Sequence, residues 1–171
     1  LGPNAFHAFD ALGVGDKARG RAVYTECMVM HDAIDESLVG RIETGEAFRR
    51  RFGNPYAVIH RADIHLSLLE GAQESGRVSF HTNTRVVHVE QDDARKTVTA
   101  IDQQGRRWTG QALIAADGGK SVVRTQYVND PPRVTGHVVY RAVVDRAEFP
   151  KDLQWNAASL WAGPKCHLVH Y

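Results

Sequence analysis

The sequence predicts an α/β fold with mixed strands and few helices, organised as one incomplete domain followed by the opening strands of a second sheet. Three observations carry that reading. Strand-like runs outnumber helical patterns along the chain. The nearly all-apolar run 111–116 stops abruptly at Asp117-Gly118-Gly119, where Ser121 can cap a new helix. Beyond Pro131-Pro132 the character changes to valine-rich stretches, which sets a soft boundary at about residue 130.

Pro3 marks a helix entry, and Ala5, Phe6, Phe9 and Leu12 follow at helical spacing until Gly13 stops it. Residues 23–30 and 37–42 are strand-like and joined through a polar turn at 32–36. The run Arg49-Arg50-Arg51 between Phe48 and Phe52 is expected as a solvated turn. A short apolar strand at 56–59 leads to a helix over 63–72, where Ile64, Leu68 and Ala72 recur every four positions. Three strands are expected next, at 78–82, 85–90 and 97–102, as a meander or three-stranded sheet. After the strand 111–116 and the Ser121-capped helix, residues 136–144, 159–162 and 166–171 read as strands of a second, larger sheet.

Composition narrows the function classes. Of 171 residues 43% are hydrophobic, and 21 Lys and Arg against 20 Asp and Glu leave a formal charge of +1. That balance points to neither a nucleic-acid nor a membrane partner. No stretch reaches the about 20 apolar residues a bilayer-spanning helix needs. Two cysteines, Cys27 and Cys166, make no disulfide framework, so a reducing cytoplasm is expected. The chain opens on Leu1 and stops at Tyr171 inside an expected strand, so both ends read as cut.

The segment 115–124 is the strongest local signal. An apolar strand runs into an acid and two glycines before a helix, the place where ligands collect in open α/β sheets. Gly118 and Gly119 allow close backbone approach, and Asp117 can accept from ribose-like hydroxyls or hold the loop. A tight turn with an ordinary Ser121 cap explains the same residues. Arg124 in the first helical turn, and Arg61 opening the helix after 56–59, put cations at the unfavourable end of a helix dipole. Arg61 either reaches a phosphate-like group or pairs with Asp63.

Nine histidines are present. Strand alternation puts His167, Val169 and Tyr171 on one face and Cys166, Leu168 and His170 on the other, which separates the two histidines as metal ligands. His167 and Tyr171, about 13 Å apart at i and i+4, could flank a small aromatic acid; lone histidines that serve packing are the alternative. Arg141 in a valine-rich strand suggests a carboxylate partner or a nearby pocket. Trp155 and Trp161 could frame an aromatic ligand or belong to the core. Phosphate-binding GxxxxGK, GxGxxG, HExxH, paired-cysteine and serine-elbow motifs are not found.

Asp117, Gly118, Ser121 and Arg124 together resemble the second fingerprint, the DG motif, of class A flavoprotein monooxygenases. In that family an apolar strand precedes Asp-Gly, two residues, Ser, two residues and Arg. Leu1-Gly2-Pro3-Asn4-Ala5 resembles the segment after the family's first flavin-binding βαβ unit, and His60-Arg61-Ala62-Asp63-Ile64-His65 the stretch whose arginine contacts FAD. Gly136-His137-Val138-Val139-Tyr140-Arg141 and Gly163-Pro164-Lys165-Cys166-His167 resemble the substrate-side sheet of salicylate hydroxylase relatives. The likeness covers essentially the whole chain. It departs from the family in lacking the upstream glycine-rich loop and the downstream Gly-Asp motif.

The resemblance implies a partial FAD-binding domain of that fold over 1–130, with the β-meander and DG motif, and part of the substrate-domain β-sheet over 131–171. It implies FAD as cofactor, held weakly or not at all by this chain alone, NADH as co-substrate and a small aromatic acid as substrate; a homodimer is compatible with it. NADH would reduce FAD, and a flavin hydroperoxide would hydroxylate a phenolic benzoate, 3-hydroxybenzoate to 2,5-dihydroxybenzoate. Salicylate is the rival substrate, and an aromatic-acid binding module without catalysis, or a fragment formed by proteolysis, the rival classes. On this reading His167 is the base and Tyr171 orients the ring. Arg61, Asp117, Gly118, Ser121 and Arg124 lie on the flavin side.

Overall fold

Pro3 starts the first helix because its ring presets φ and its missing N–H would be unpaired there anyway. In the computed structural model, which describes residues 1–128 and 130–171, helix α1 spans Pro3–Ala11. Gly13 then turns the chain at φ +71 into α2 (Gly15–Arg21). Phe6 and Phe9 meet edge to face at 6.0 Å, and with Val14, Ala18 and Ala57 they form a buried core. Helix α4 (Arg61–Glu74) joins this core through Ile64. It approaches closely because Gly71 has no side chain: a Cβ there would lie 2.2 Å from Val14 Cγ1. Arg21 clamps α2 to α4 through both Glu70 carboxylate oxygens and the Ser67 hydroxyl.

The chain divides by packing into two compact units, Leu1–Ser79 with Val143–Tyr171, and Phe80–Ala142. This division differs in kind from one by cofactor and substrate role at about 130.

In the first unit the expected strand 23–30 is two strands. β1 (Val23–Tyr24) pairs with β4 (Ala57–Val58), whereas β2 (Cys27–Asp32) enters a four-stranded sheet. The break falls where buried Thr25 and Thr44 bond to each other, so the chain changes sheets there. That sheet has the order β3-β2-β8-β9, with β3 at Leu38–Glu43, β8 at Ala157–Gly163 and β9 at Cys166–His170. β2 and β8 run parallel; the other neighbours are antiparallel. Its strands come from both sides of residue 130. Cys27, Val29 and Ala157 form its small core.

Two short helices escaped the sequence reading. One is α2. The other, α3 (Glu46–Phe52), contains the three arginines expected in a turn; they occupy its last turn, where cations complement the dipole, and Arg49 lies over the Tyr24 ring.

The second unit holds the antiparallel sheet β5-β6-β7, at Val86–Asp92, Thr97–Asp102 and Arg107–Gly110. Its third strand is therefore 107–110 and not 78–82, which forms no ladder. The short strand Arg-Trp-Thr-Gly lacks the apolar alternation that would have announced it, and a charged residue such as Arg107 helps keep an edge from pairing further. Asp102 closes the β6–β7 turn: buried, it accepts from the amides of Gln104 and Arg106 and from Arg106 Nε. Helix α5 (Val122–Tyr127) docks on β5 through Gln126, whose amide bonds both N–H and C=O of Val89.

Two further expectations fail among the described residues. Runs 111–116 and 136–144 form no strand, and Ile114 and Tyr140 stand 92% and 93% exposed. Period-two apolarity states which faces a strand would have; a ladder also needs a partner, and neither run has one here. No helix among the described residues is long and apolar enough to cross a membrane.

Candidate functional site

The Asp117–Arg124 segment lies in the second unit and is built as a capped turn. Gly118 adopts φ +78, which only glycine takes without strain, and its carbonyl accepts the Ser121 amide. Ser121 Oγ then accepts the Arg124 amide at 2.9 Å, the cap expected from sequence. Asp117 Oδ2 accepts the amides of Val122 (2.9 Å) and Val123 (3.3 Å). Asp117 thus holds the loop. The Ser121 hydroxyl foremost, aided by those amides, keeps its carboxyl below the usual carboxylate range. Neither Gly118 nor Gly119 has a heavy atom within 4 Å of where a Cβ would be, so the turn is open.

The dipole argument for Arg124 does not hold. α5 has six residues, so the position three from its cap also belongs to the last turn. The guanidinium has a local partner as well, binding both carboxylate oxygens of Asp130. Beside it opens a cleft of about 590 Å³ whose walls include Gly119, Lys120, Ser121, Arg124, Asp130 and Arg133. Three cations against one carboxylate give it a positive lining.

Arg61, His167 and Tyr171 belong to the first unit. Arg61 is the exposed first residue of α4; among the described residues it forms no ion pair, so the pairing with Asp63 is not made. Arg141, in the second unit, is likewise exposed, and the carboxylate partner expected for it is not found among the described residues. His167 sits on β9 opposite Ala162 and is exposed. The last pair of that ladder is Ser159 with His170, so Tyr171 lies one residue past the strand that was expected to include it.

Sequence reasoning missed what surrounds His170. The register puts Cys27, Val29 and His31 of β2 on one face with Ala157, Ser159 and Trp161 of β8 and His170 of β9. There Trp161 Nε1 donates to His170 Nε2 at 3.0 Å, and the His31 ring stacks on Trp161 at 4.5 Å and 18°. Trp155 donates to Ser159 Oγ at 2.8 Å, and its ring and that of Phe149 border His170. The two tryptophans thus serve this cluster. The opposite face carries His167 and Val169 beside Leu160 and Met30.

A family model described as FAD binding domain matches residues 1–154. The chain belongs to this FAD-binding family. Its membership agrees with the DG-motif resemblance and with the mixed fold. Among curated relatives, the chain is 73% identical over 171 residues to a 3-hydroxybenzoate 6-hydroxylase of Polaromonas naphthalenivorans, covering all of this chain and 42% of that protein. It is 57% identical over 173 residues to a 3-hydroxybenzoate 6-hydroxylase of Klebsiella oxytoca, again over the whole chain and 43% of the relative. The chain therefore spans about two fifths of the length of these relatives. Two solved structures share the fold at 23% identity. A salicylate hydroxylase substrate complex aligns with a TM-score of 0.77 over 100% of this chain and 44% of its own. A 2,6-dihydroxypyridine-3-hydroxylase from Arthrobacter nicotinovorans aligns with a TM-score of 0.74 over 99% and 39%.

Proposed function

We propose that the chain is part of an FAD-dependent, NADH-using monooxygenase that converts 3-hydroxybenzoate to 2,5-dihydroxybenzoate. The observation that carries this reading is the 73% identity to a 3-hydroxybenzoate 6-hydroxylase across all 171 residues. Roles divide at about residue 130, flavin side before and substrate side after, with β2 and β3 joining the substrate-side sheet from the earlier part. Two unpaired cysteines support a cytoplasmic setting.

The residues present suit a flavin. The turn at Gly118 and Gly119 is open on its Cα side, and the cleft next to it concentrates positive charge where a pyrophosphate could be met. Asp117, Gly118, Ser121 and Arg124 contribute to holding FAD from that segment, and Arg61 from the start of α4. Asp117 acts chiefly by fixing the loop, since one carboxylate oxygen is taken by two amides. When bound, FAD reduced by NADH would activate dioxygen, one oxygen atom becoming the new ring hydroxyl and the other leaving as water.

The chain's own part in the chemistry is a proton transfer. A phenol is a poor nucleophile and its phenolate a much better one. His167 takes the proton from the substrate hydroxyl at a ring nitrogen, as a general base. The ring carbon para to that oxygen is then the electron-rich position. Val169 and Leu160, register partners on the His167 face, offer the ring an apolar floor. Tyr171 orients the ring or its carboxylate.

The test is NADH oxidation by the flavin-loaded complete gene product in air, with 3-hydroxybenzoate or salicylate added and products separated. Substrate-stimulated turnover yielding 2,5-dihydroxybenzoate from 3-hydroxybenzoate supports the assignment; no stimulation by that acid overturns it.

A further inference from the structure

We propose that His170 is the positioning residue that seats β9, and with it His167, through a hydrogen bond from the Trp161 indole that exists only while the His170 ring is uncharged. The inference rests on the reading of His167 as the base only for its consequence in turnover; the seating itself stands on geometry.

Within this chain β9 pairs with β8 through five register pairs. Cys166, His167, Leu168 and Val169 are all exposed; His170 is the one β9 side chain that is half-buried. Its ring accepts from the Trp161 indole, which ties this side chain of β9 to β8. An indole N–H only donates, so His170 Nε2 at 3.0 Å must accept, and the ring proton must sit on Nδ1. A protonated imidazole carries N–H on both nitrogens and would oppose the indole donor.

The surroundings favour the uncharged ring. Facing His170 are Ser159 and Trp161 from β8, Phe149 and Trp155 from the chain before it, and His31 from β2. His31 is the titratable group of this set. It lies on the other side of Trp161, stacked at 4.5 Å, while the His170 ring is nearly parallel to the same indole at 6.5 Å and 19°. Burial first, and the His31 ring second, push the His170 imidazole below its ordinary 6.5. A histidine with a lowered value in the folded state contributes stability that is complete above about 6.5 and is lost as pH falls below it. β9 should then loosen in mild acid, and the exposed His167 face would lose its fixed position.

The experiment is hydrogen exchange of the β9 amides in the flavin-loaded complete gene product, corrected for intrinsic rates, between about pH 7.5 and pH 5. In the wild type, exchange should speed up about fivefold across that range, the factor an ordinary hydrogen bond confers. H170Q, whose side-chain oxygen can still accept from Trp161 and does not titrate, should be slow and flat throughout. H170F and W161F should exchange fast at both ends, and the double variant no faster than either. A pH-independent wild type, or an H170Q profile that matches the wild type, overturns the proposal, and W161F keeps it testable if H170F does not fold. Turnover separates the two readings. If H167Q converts 3-hydroxybenzoate normally, the base assignment fails while the exchange profile still decides the seating. If exchange is flat while H167Q is inactive, the seating fails and the base stands.

Discussion

Adding one methyl group at either of two adjacent glycines separates backbone conformation from ligand approach. At Gly118 and Gly119 alike, an added Cβ meets no heavy atom within 4 Å, so neither alanine variant clashes. Gly118, however, sits at φ +78, whereas Gly119 is outside the left-handed region. A Cβ at that φ costs about 1–2 kcal/mol. Alanine also narrows the unfolded ensemble, which returns about 0.4–1 kcal/mol. Gly118→Ala should thus lose about 1 kcal/mol, and Gly119→Ala should be neutral or gain up to about 1 kcal/mol. With a urea slope of about 1–3 kcal/mol/M, the two midpoints should stand about 0.3–2 M apart in urea unfolding of the second unit. Flavin fluorescence titration supplies the other half. If FAD packs against this turn, Gly119→Ala weakens binding with no fall in midpoint, because the methyl occupies space a ligand would use. A Gly118→Ala protein as stable as Gly119→Ala would refute the conformational argument; Gly119→Ala with wild-type FAD affinity would remove close approach at that glycine.

Three more outcomes follow from single residues. Phe6 is 0% exposed in the first unit's core, so Phe6→Ala should destabilise that unit by about 3–5 kcal/mol in urea unfolding. Burial pushes the Asp102 carboxyl up, but Arg106 and the amides of Arg106 and Gln104 outweigh it, and the net value is lowered from 3.8. A lowered carboxylate stabilises above that unfolded value and loses the contribution as pH falls past it, so Asp102→Asn should flatten the acid limb of the second unit's unfolding midpoint between pH 5 and 3, about the range where carboxylates titrate. His167→Gln should lower kcat by about 10²–10⁴-fold in the flavin-loaded complete gene product, with KM for 3-hydroxybenzoate changed far less.

What could be read from residues alone was what depends on short range. Pro3, the Ser121 cap, the glycine stop after α1 and the helix around Ile64 are each decided within a few positions, and the structure has them. The three-stranded sheet was foreseen in number but not in membership. Val78 and Phe80 alternate well yet find no partner, and the polar Arg107–Gly110 pairs because a tight turn at Asp102 brings it back onto β6. The parallel pairing of β2 with β8 joins residues about 130 positions apart, and no local pattern announces that. At the candidate site the residues of the DG segment were legible by motif, but their work was not. That Arg124 meets Asp130, and that Asp117 gives an oxygen to two amides, are consequences of how the turn closes.

The two histidines of β9 show why residue type does not assign role. His167 and His170 are three positions apart on one strand, so strand alternation must put them on opposite faces. One face carries the exposed His167 beside Val169 and Leu160. On the other, His170 lies beside the indoles of Trp155 and Trp161, and its ring becomes an acceptor held in one tautomer. A slip of one residue along β8 would exchange these environments, bringing Val169 under Trp155 and turning His170 outward. Five register pairs join β9 to β8. The Trp161–His170 bond adds to that specification, since it forms in the register that sets Ser159 opposite His170. The register that makes this bond is thus the register that presents His167, and a variant that abolishes one should displace the other.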